Sequence, residues 1–167
     1  MVCLGQDDSG GKQGQVELSV GDVMVKEVVT IDENVTVKEA VDVMDKFDIG
    51  CIIALRKGKA IGILTERDIL KRIVAAGKEA KGIKVREVMT SPLVVAEPAM
   101  ELEEAVKLMF HMKIKKLPVV DGKKIVGLLS LTDIARFQPE VISILKQLAA
   151  KQSVPKGIKK IIDRYVV

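Results

Sequence analysis

Residues 18–69 align with residues 83–134 without a gap, at a constant offset of 65 positions. The pairs Val20/Val85, Val23/Val88, Met24/Met89, Val29/Val94, Glu39/Glu104, Ala40/Ala105, Val41/Val106 and Met44/Met109 are identical. So are Ile49/Ile114, Lys59/Lys124, Gly62/Gly127, Leu64/Leu129, Asp68/Asp133 and Ile69/Ile134. These 14 identities compare with about three expected by chance, so the chain carries an internal duplication. One copy of about 50–60 residues buries too little surface to be secure alone. The two copies must therefore pack face to face, share core surface and behave as one cooperative domain with approximate two-fold symmetry.

Each copy reads as strand, helix, strand, strand, helix. In the first, Thr36 with Glu39 forms a capping box ahead of apolar positions Val37, Ala40, Val41 and Met44, spaced i, i+3, i+4, i+7. The second copy repeats the stripe with Leu102, Ala105, Val106 and Met109. Two short apolar runs follow, residues 51–55 and 60–64, then 117–120 and 125–129; Asp121-Gly122 signals a hairpin. A closing helix starts near Thr65 or Ser130. The expected organisation is a leader over 1–15, expected to be flexible, unit 1 over 16–76, a linker over 77–84, unit 2 over 85–137 and a basic amphipathic helical tail over 138–167.

The core must be aliphatic, because aromatics are 2% of the chain and Trp is absent, against a hydrophobic fraction of 48%. No apolar run approaches the roughly 20 residues that span a bilayer. The first residues lack the basic start and apolar stretch of a signal peptide, which points to the cytoplasm. Cys3 and Cys51 have no CxxC neighbour, so neither a zinc site nor a disulfide framework is indicated. With one His and two Cys, no nucleophile–base set can be assembled. His111 has no second His or patterned carboxylate beside it and reads as a surface or half-buried residue. Met24, Met44, Met89 and Met109 read as packing residues.

The chemistry lies where each hairpin runs into its second helix. Gly62-Ile63-Leu64-Thr65-Glu66-Arg67-Asp68 is matched by Gly127-Leu128-Leu129-Ser130-Leu131-Thr132-Asp133. Thr or Ser followed three residues later by Asp is a helix start. The same place offers free N–H groups to a phosphate, and a carboxylate able to accept two hydroxyls, as from a ribose.

A Met89-Thr90 step near the start of a unit, the stretch Leu117-Pro118-Val119-Val120-Asp121-Gly122, and the Gly-apolar-apolar-Ser-x-x-Asp motif together resemble the CBS domain family. The resemblance covers about residues 18–137. It implies a mixed α/β (α+β) fold of two tandem β-α-β-β-α units, a Bateman module. It also implies two clefts that bind AMP, ADP, ATP or S-adenosylmethionine-like ligands, with no catalytic residue, metal or further cofactor. Each cleft in that family mixes both units. One would combine Thr65 and Asp68 with Met89, Val94, Ile114, Lys115 and Lys116. The other would combine Ser130 and Asp133 with Met24, Val29, Ile49 and Gly50. Asp would hold the ribose, Thr or Ser the ribose or phosphate side, and the apolar residues the adenine. Copy one has Ile53 where copy two has Pro118.

Lys113, Lys115 and Lys116 stand near the mouth of the first cleft, where the second has Asp48, Gly50 and Cys51. Strand alternation sends Lys115 and Lys116 to opposite faces. The function expected is a regulatory ligand sensor, a homodimer that transmits occupancy to an effector protein. An alternative is a nucleic-acid- or protein-binding regulator acting through the tail, whose Lys146, Lys151, Lys156, Lys159, Lys160 and Arg164 outweigh Glu140 and Asp163. Against nucleic acid stands the absence of a helix-turn-helix, zinc-finger or stacking-aromatic signal.

Overall fold

The computed structural model describes residues 18–137, together with the isolated positions Pro139, Gln147 and Ala150. The leader and, but for those three positions, the tail lie outside the described residues.

Unit 1 opens with a single helical turn, α1 (Val20–Val23), and continues as β1 (Thr30–Asp32), α2 (Val37–Lys46), β2 (Cys51–Arg56), β3 (Lys59–Thr65) and α3 (Glu66–Ile69). A π-helical turn, Leu70–Val74, prolongs α3. Unit 2 follows as α4 (Val85–Val88), α5 (Leu102–Met112), β4 (Lys116–Asp121), β5 (Lys124–Ser130) and α6 (Leu131–Phe137). The architecture is the mixed α/β repeat the sequence predicts. The opening turns α1 and α4 were not foreseen.

Local chemistry explains most of the boundaries. Thr36 Oγ1 accepts from the Glu39 N–H at 3.2 Å, while Glu39 Oε2 accepts from the Thr36 N–H at 2.7 Å, closing the N-terminus of α2. The β2–β3 hairpin turns through Lys57 and Gly58, both with positive φ, as a type I′ turn requires. The β4–β5 hairpin turns through Gly122, φ 60°, followed by Lys123.

One expected strand is missing. In unit 1, β1 pairs in parallel with β2, and the Ile53 N–H donates to Val29 O at 3.2 Å. The equivalent of Ile53 is Pro118, which has no N–H to give. Pairing there shrinks to one bridge, Ala96↔Val119, with Ala96 N–H to Pro118 O at 2.9 Å and Val120 N–H to Ala96 O at 2.8 Å.

The two units exchange their opening segments. The Val20 N–H donates to Met100 O and the Gly21 N–H to Pro98 O, at 2.8 and 2.9 Å. Val20 and Val23 are thereby buried among Leu102, Ala105, Val106 and Met109 of unit 2. Reciprocally, the Val85 N–H donates to Val35 O at 2.9 Å and the Arg86 N–H to Glu33 O at 3.0 Å. Val85 and Val88 complete the core of Val37, Ala40, Met44 and Leu64. Glu33, at this junction, is buried and paired with Arg56; the guanidinium holds its carboxyl below the usual carboxylate range. Strand β2 is buried on both faces, with Ile52 and Ala54 toward unit 1 helices and Cys51 and Ile53 toward unit 2.

After each opening turn the chain bridges the other unit's hairpin, at Val25↔Leu128 and Ile63↔Thr90. The repeated glycines permit this crossing. A Cβ on Gly127 would stand 2.3 Å from Met24 Sδ, and one on Gly62 would stand 2.6 Å from Met89 Sδ. Met24 and Met89 are thus half-buried packing residues, while Met44 and Met109 lie in the cores. Among the described residues no helix is long and apolar enough to cross a membrane.

A Cβ at Gly127 forces the Met24 side chain aside, so Gly127→Ala should lower stability by ~1–3 kcal/mol. Adding Met24→Ala to that variant should restore part of the loss. Thermal denaturation of the two variants checks this, and an unchanged melting temperature for Gly127→Ala refutes the crossing.

Candidate functional site

The N-terminus of α3, the β3 strand feeding it, and the turn after α5 enclose a cavity of about 380 Å³ between the units. Thr65, Glu66, Arg67 and Asp68 form one wall; Thr90, Lys113, Ile114, Lys115 and Lys116 come from unit 2. Gly50 and Ile63 complete the lining.

Its geometry starts from a capping box. Thr65 takes extended φ/ψ and caps α3. Asp68 Oδ2 accepts from the Thr65 N–H at 3.0 Å and from the Thr65 hydroxyl at 2.6 Å, and the Asp68 N–H donates back to Thr65 Oγ1 at 3.2 Å. Asp68 is buried. Its second oxygen, Oδ1, accepts from the Thr90 hydroxyl at 3.0 Å and lies 3.5 Å from Arg72 Nη2. Arg72 also donates to the carbonyls of Val88 and Met89. The helix start of unit 1 is thereby tied to the segment of unit 2 that crosses it.

On the opposite wall, α5 ends with Lys113 in the left-handed region, φ 54°, and the Ile114 N–H donates to Met109 O at 3.0 Å. Asp48 makes the equivalent turn after α2, with φ 51°. This reversal carries Ile114, Lys115 and Lys116 to the cavity. Lys115 precedes the first residue of β4, and both it and Lys116 line the cavity. Four cationic side chains therefore meet two carboxylates, of which Asp68 is already bonded within the protein.

The structure thus groups Thr65, Asp68, Ile114, Lys115 and Lys116, as the sequence placed them. Met89 lies beneath Gly62 and Val94 packs on the unit 2 core; neither lines the cavity. Gly50, assigned from the sequence to the other cleft, lines this one, because its chain segment runs beside Glu66: the Glu66 N–H donates to Gly50 O at 3.2 Å. Ile49 lines a separate groove between α2 and α3, and Val29 packs on the unit 1 core. Glu66, Arg67, Thr90 and Arg72 were not assigned to a cleft from the sequence. Thr90 and Arg72 had signals: a Met-Thr step found only in copy two, and an arginine four residues after Asp68.

At the second helix start, the Ser130 hydroxyl donates to Asp133 Oδ2, and the Asp133 N–H donates to Ser130 Oγ at 3.2 Å. The positions matching Thr90 and Arg72 are Val25 and Phe137, 46% and 64% exposed, neither able to hydrogen-bond a carboxylate through its side chain. Met24 crosses beside this site as Met89 does beside the first. Cys51, the repeat equivalent of Lys116, is buried; burial pushes its thiol pKa up, against the pull of the nearby Lys116 ammonium. His111 is half-buried, with Nε2 shielded from solvent and without a described partner.

Asp68 carries more of the fold than Asp133. Asp68→Ala should cost ~2–3 kcal/mol, since it frees a cap and strands a hydroxyl and a guanidinium, whereas Asp133→Ala should cost ~1 kcal/mol. Urea unfolding of both variants tests this; equal losses contradict a tie from Asp68 to Thr90 and Arg72.

The profile of the CBS domain family matches residues 20–75 and 85–140. Over 117 residues the chain is 39% identical to the CBS domain-containing protein YhcV of Bacillus subtilis, covering 70% of this chain and 83% of that one. It is 36% identical over 126 residues to inosine-5′-monophosphate dehydrogenase of Methanocaldococcus jannaschii, 74% of this chain but 24% of the enzyme. Among solved structures, the CBS domain pair of protein MJ0100, in complex with 5′-methylthioadenosine and S-adenosyl-L-methionine, superposes with a TM-score of 0.66 at 28% identity, covering 72% of this chain and 95% of that one.

Proposed function

Because the chain belongs to the CBS domain family, we propose that it is a cytoplasmic regulatory module, not an enzyme, that binds an adenosine nucleotide between its two units and passes its occupancy to a partner. The observation that carries this reading is the cavity at the start of α3, where a capped helix N-terminus, a carboxylate and four cationic side chains converge between the units. Its size suits a ligand site, and its charge suits phosphate. The adenosine-type ligands in the related MJ0100 domain pair support the choice of nucleoside.

In this proposal Lys113, Lys115, Lys116 and Arg67 take the phosphates, and the ribose hydroxyls reach Asp68 Oδ1 by replacing the Thr90 hydroxyl. Ile63 and Ile114 flank the base. At the second site Ser130 and Asp133 hold the ribose, beside Met24; the cleft would take a less charged ligand such as S-adenosylmethionine. Met89 and Val94 act by supporting the first cleft from beneath. Replacement of the Thr90 bond is the event that would loosen the crossing segment and so signal between units. The assembled form we propose is a homodimer, and sedimentation as a stable monomer at micromolar concentration would overturn that part.

Calorimetric titration with AMP, ADP, ATP and S-adenosylmethionine tests the whole reading, which fails if none binds at millimolar concentration. Lys115→Ala with Lys116→Ala should weaken AMP or ATP binding at one site by about 5- to 30-fold, the equivalent of ~1–2 kcal/mol, and flatten its salt dependence while leaving adenosine nearly unchanged. Equal losses for adenosine and ATP would remove the lysines from the phosphate site.

A further inference from the structure

The cavity at the start of α3 holds one carboxylate that the capping box does not use. Asp68 commits both oxygens within the protein, to Thr65, Thr90 and Arg72. Glu66, the first residue of α3, lines the same cavity as Arg67, Lys113, Lys115 and Lys116. It forms no salt bridge with a described residue, and neither do those four cations. The backbone fixes where the carboxylate lies. The Glu66 N–H donates to Gly50 O at 3.2 Å, and the side chain lies over Gly50, where a Cβ would stand 3.0 Å from Oε2. The next residue is Cys51, whose buried thiol feels both the Glu66 carboxylate and the Lys116 ammonium. Both charges therefore reach the head of β2, and a phosphate held by Lys116 stands in the field of Glu66 as well.

The second copy repeats the backbone without the charge. The Leu131 N–H donates to Lys115 O at 3.2 Å, the counterpart of the bond from Glu66 to Gly50. Leu131 starts α6 as Glu66 starts α3, so the helix start itself needs no acid at this position. The carboxylate belongs to the lysine-rich cleft alone. Four cations by themselves would favour the longest phosphate chain, because each phosphate adds negative charge. An anion fixed among them opposes that trend, and a like charge set against a competing ligand is a source of selectivity. We propose that Glu66 is a specificity-determining residue of this cleft: it repels the outer phosphates of a longer chain, so that the cleft takes a nucleoside monophosphate in preference to the di- or triphosphate. This selectivity rests on the cleft being an adenosine-nucleotide site.

The test is calorimetric titration of the full chain with adenosine, AMP, ADP and ATP, without divalent cations. The site in question is the one that Lys115→Ala with Lys116→Ala weakens. Wild type should bind AMP there at least as tightly as ATP. Glu66→Gln, a change of charge at an exposed side chain, should tighten ATP about five- to tenfold, ADP about threefold and AMP no more than about twofold, and leave adenosine unchanged. Glu66→Leu, the residue that the second helix start carries here, should give the same order and keeps the test open if one variant folds poorly. A merely structural role at the helix start would shift all four ligands by one factor. A wild type that prefers ATP, or variants that change AMP, ADP and ATP equally or not at all, overturns the role of Glu66 and leaves the nucleotide site standing. Failure of wild type to bind any of the four overturns the site itself, and the selectivity with it.

Discussion

Met24 lies across Gly127, and Met89 across Gly62, at distances that leave no room for a side chain on either glycine. The rest of the structure follows from this double crossing. It allows each opening turn to leave its own unit and finish the other's core, with Val20 and Val23 in unit 2 and Val85 and Val88 in unit 1. Neither unit then owns a complete core, and the stability of each depends on the presence of its neighbour. The same crossing lays Thr90 beside Asp68 and so creates the cavity between the units. Packing and site share one cause.

The repeat made much of this legible in advance. A gapless offset predicted that equivalent residues would make equivalent elements, and α2, β2 and β3 recur as α5, β4 and β5 at that spacing. Capping chemistry located the helix start at Thr36, and turn chemistry the hairpin at Gly122. The exchange of α1 and α4 was not legible, because periodicity reports which face of a segment is apolar and not which unit covers it. A four-residue turn is also too short to show a helical period. Gly50 was misassigned for a related reason: near a pseudo-two-fold axis, residues of both units approach both clefts, and spacing along one chain cannot rank the distances.

Differences between the copies carry as much information as their identities. Ile53 became Pro118 in copy two, and the lost N–H reduced a three-residue parallel ladder to a single bridge. Thr90 and Arg72 stand where the other half has Val25 and Phe137. In one half the carboxylate at the helix start is held by a hydroxyl and a guanidinium; in the other, the corresponding side chains are apolar. A duplicated fold with symmetric cores has in this way acquired two unlike helix starts through changes that leave the core residues alone.

The helix-start motif also explains why a structural and a functional reading of the same residues need not compete. A carboxylate has two oxygens. In Asp68 and Asp133 alike, Oδ2 faces the capping Thr65 or Ser130 and holds the first turn. Only Oδ1 is left for anything else, and in Asp68 it is taken by Thr90 across the boundary between units. The cap fixes the carboxylate in place, so whatever meets Oδ1 meets an acceptor that cannot swing away. A ligand hydroxyl arriving there would compete with Thr90, whose bond is one of those that tie the crossing segment of unit 2 to the helix of unit 1. The rigidity supplied by the cap is therefore what would set ligand binding and inter-unit contact in competition at one oxygen atom.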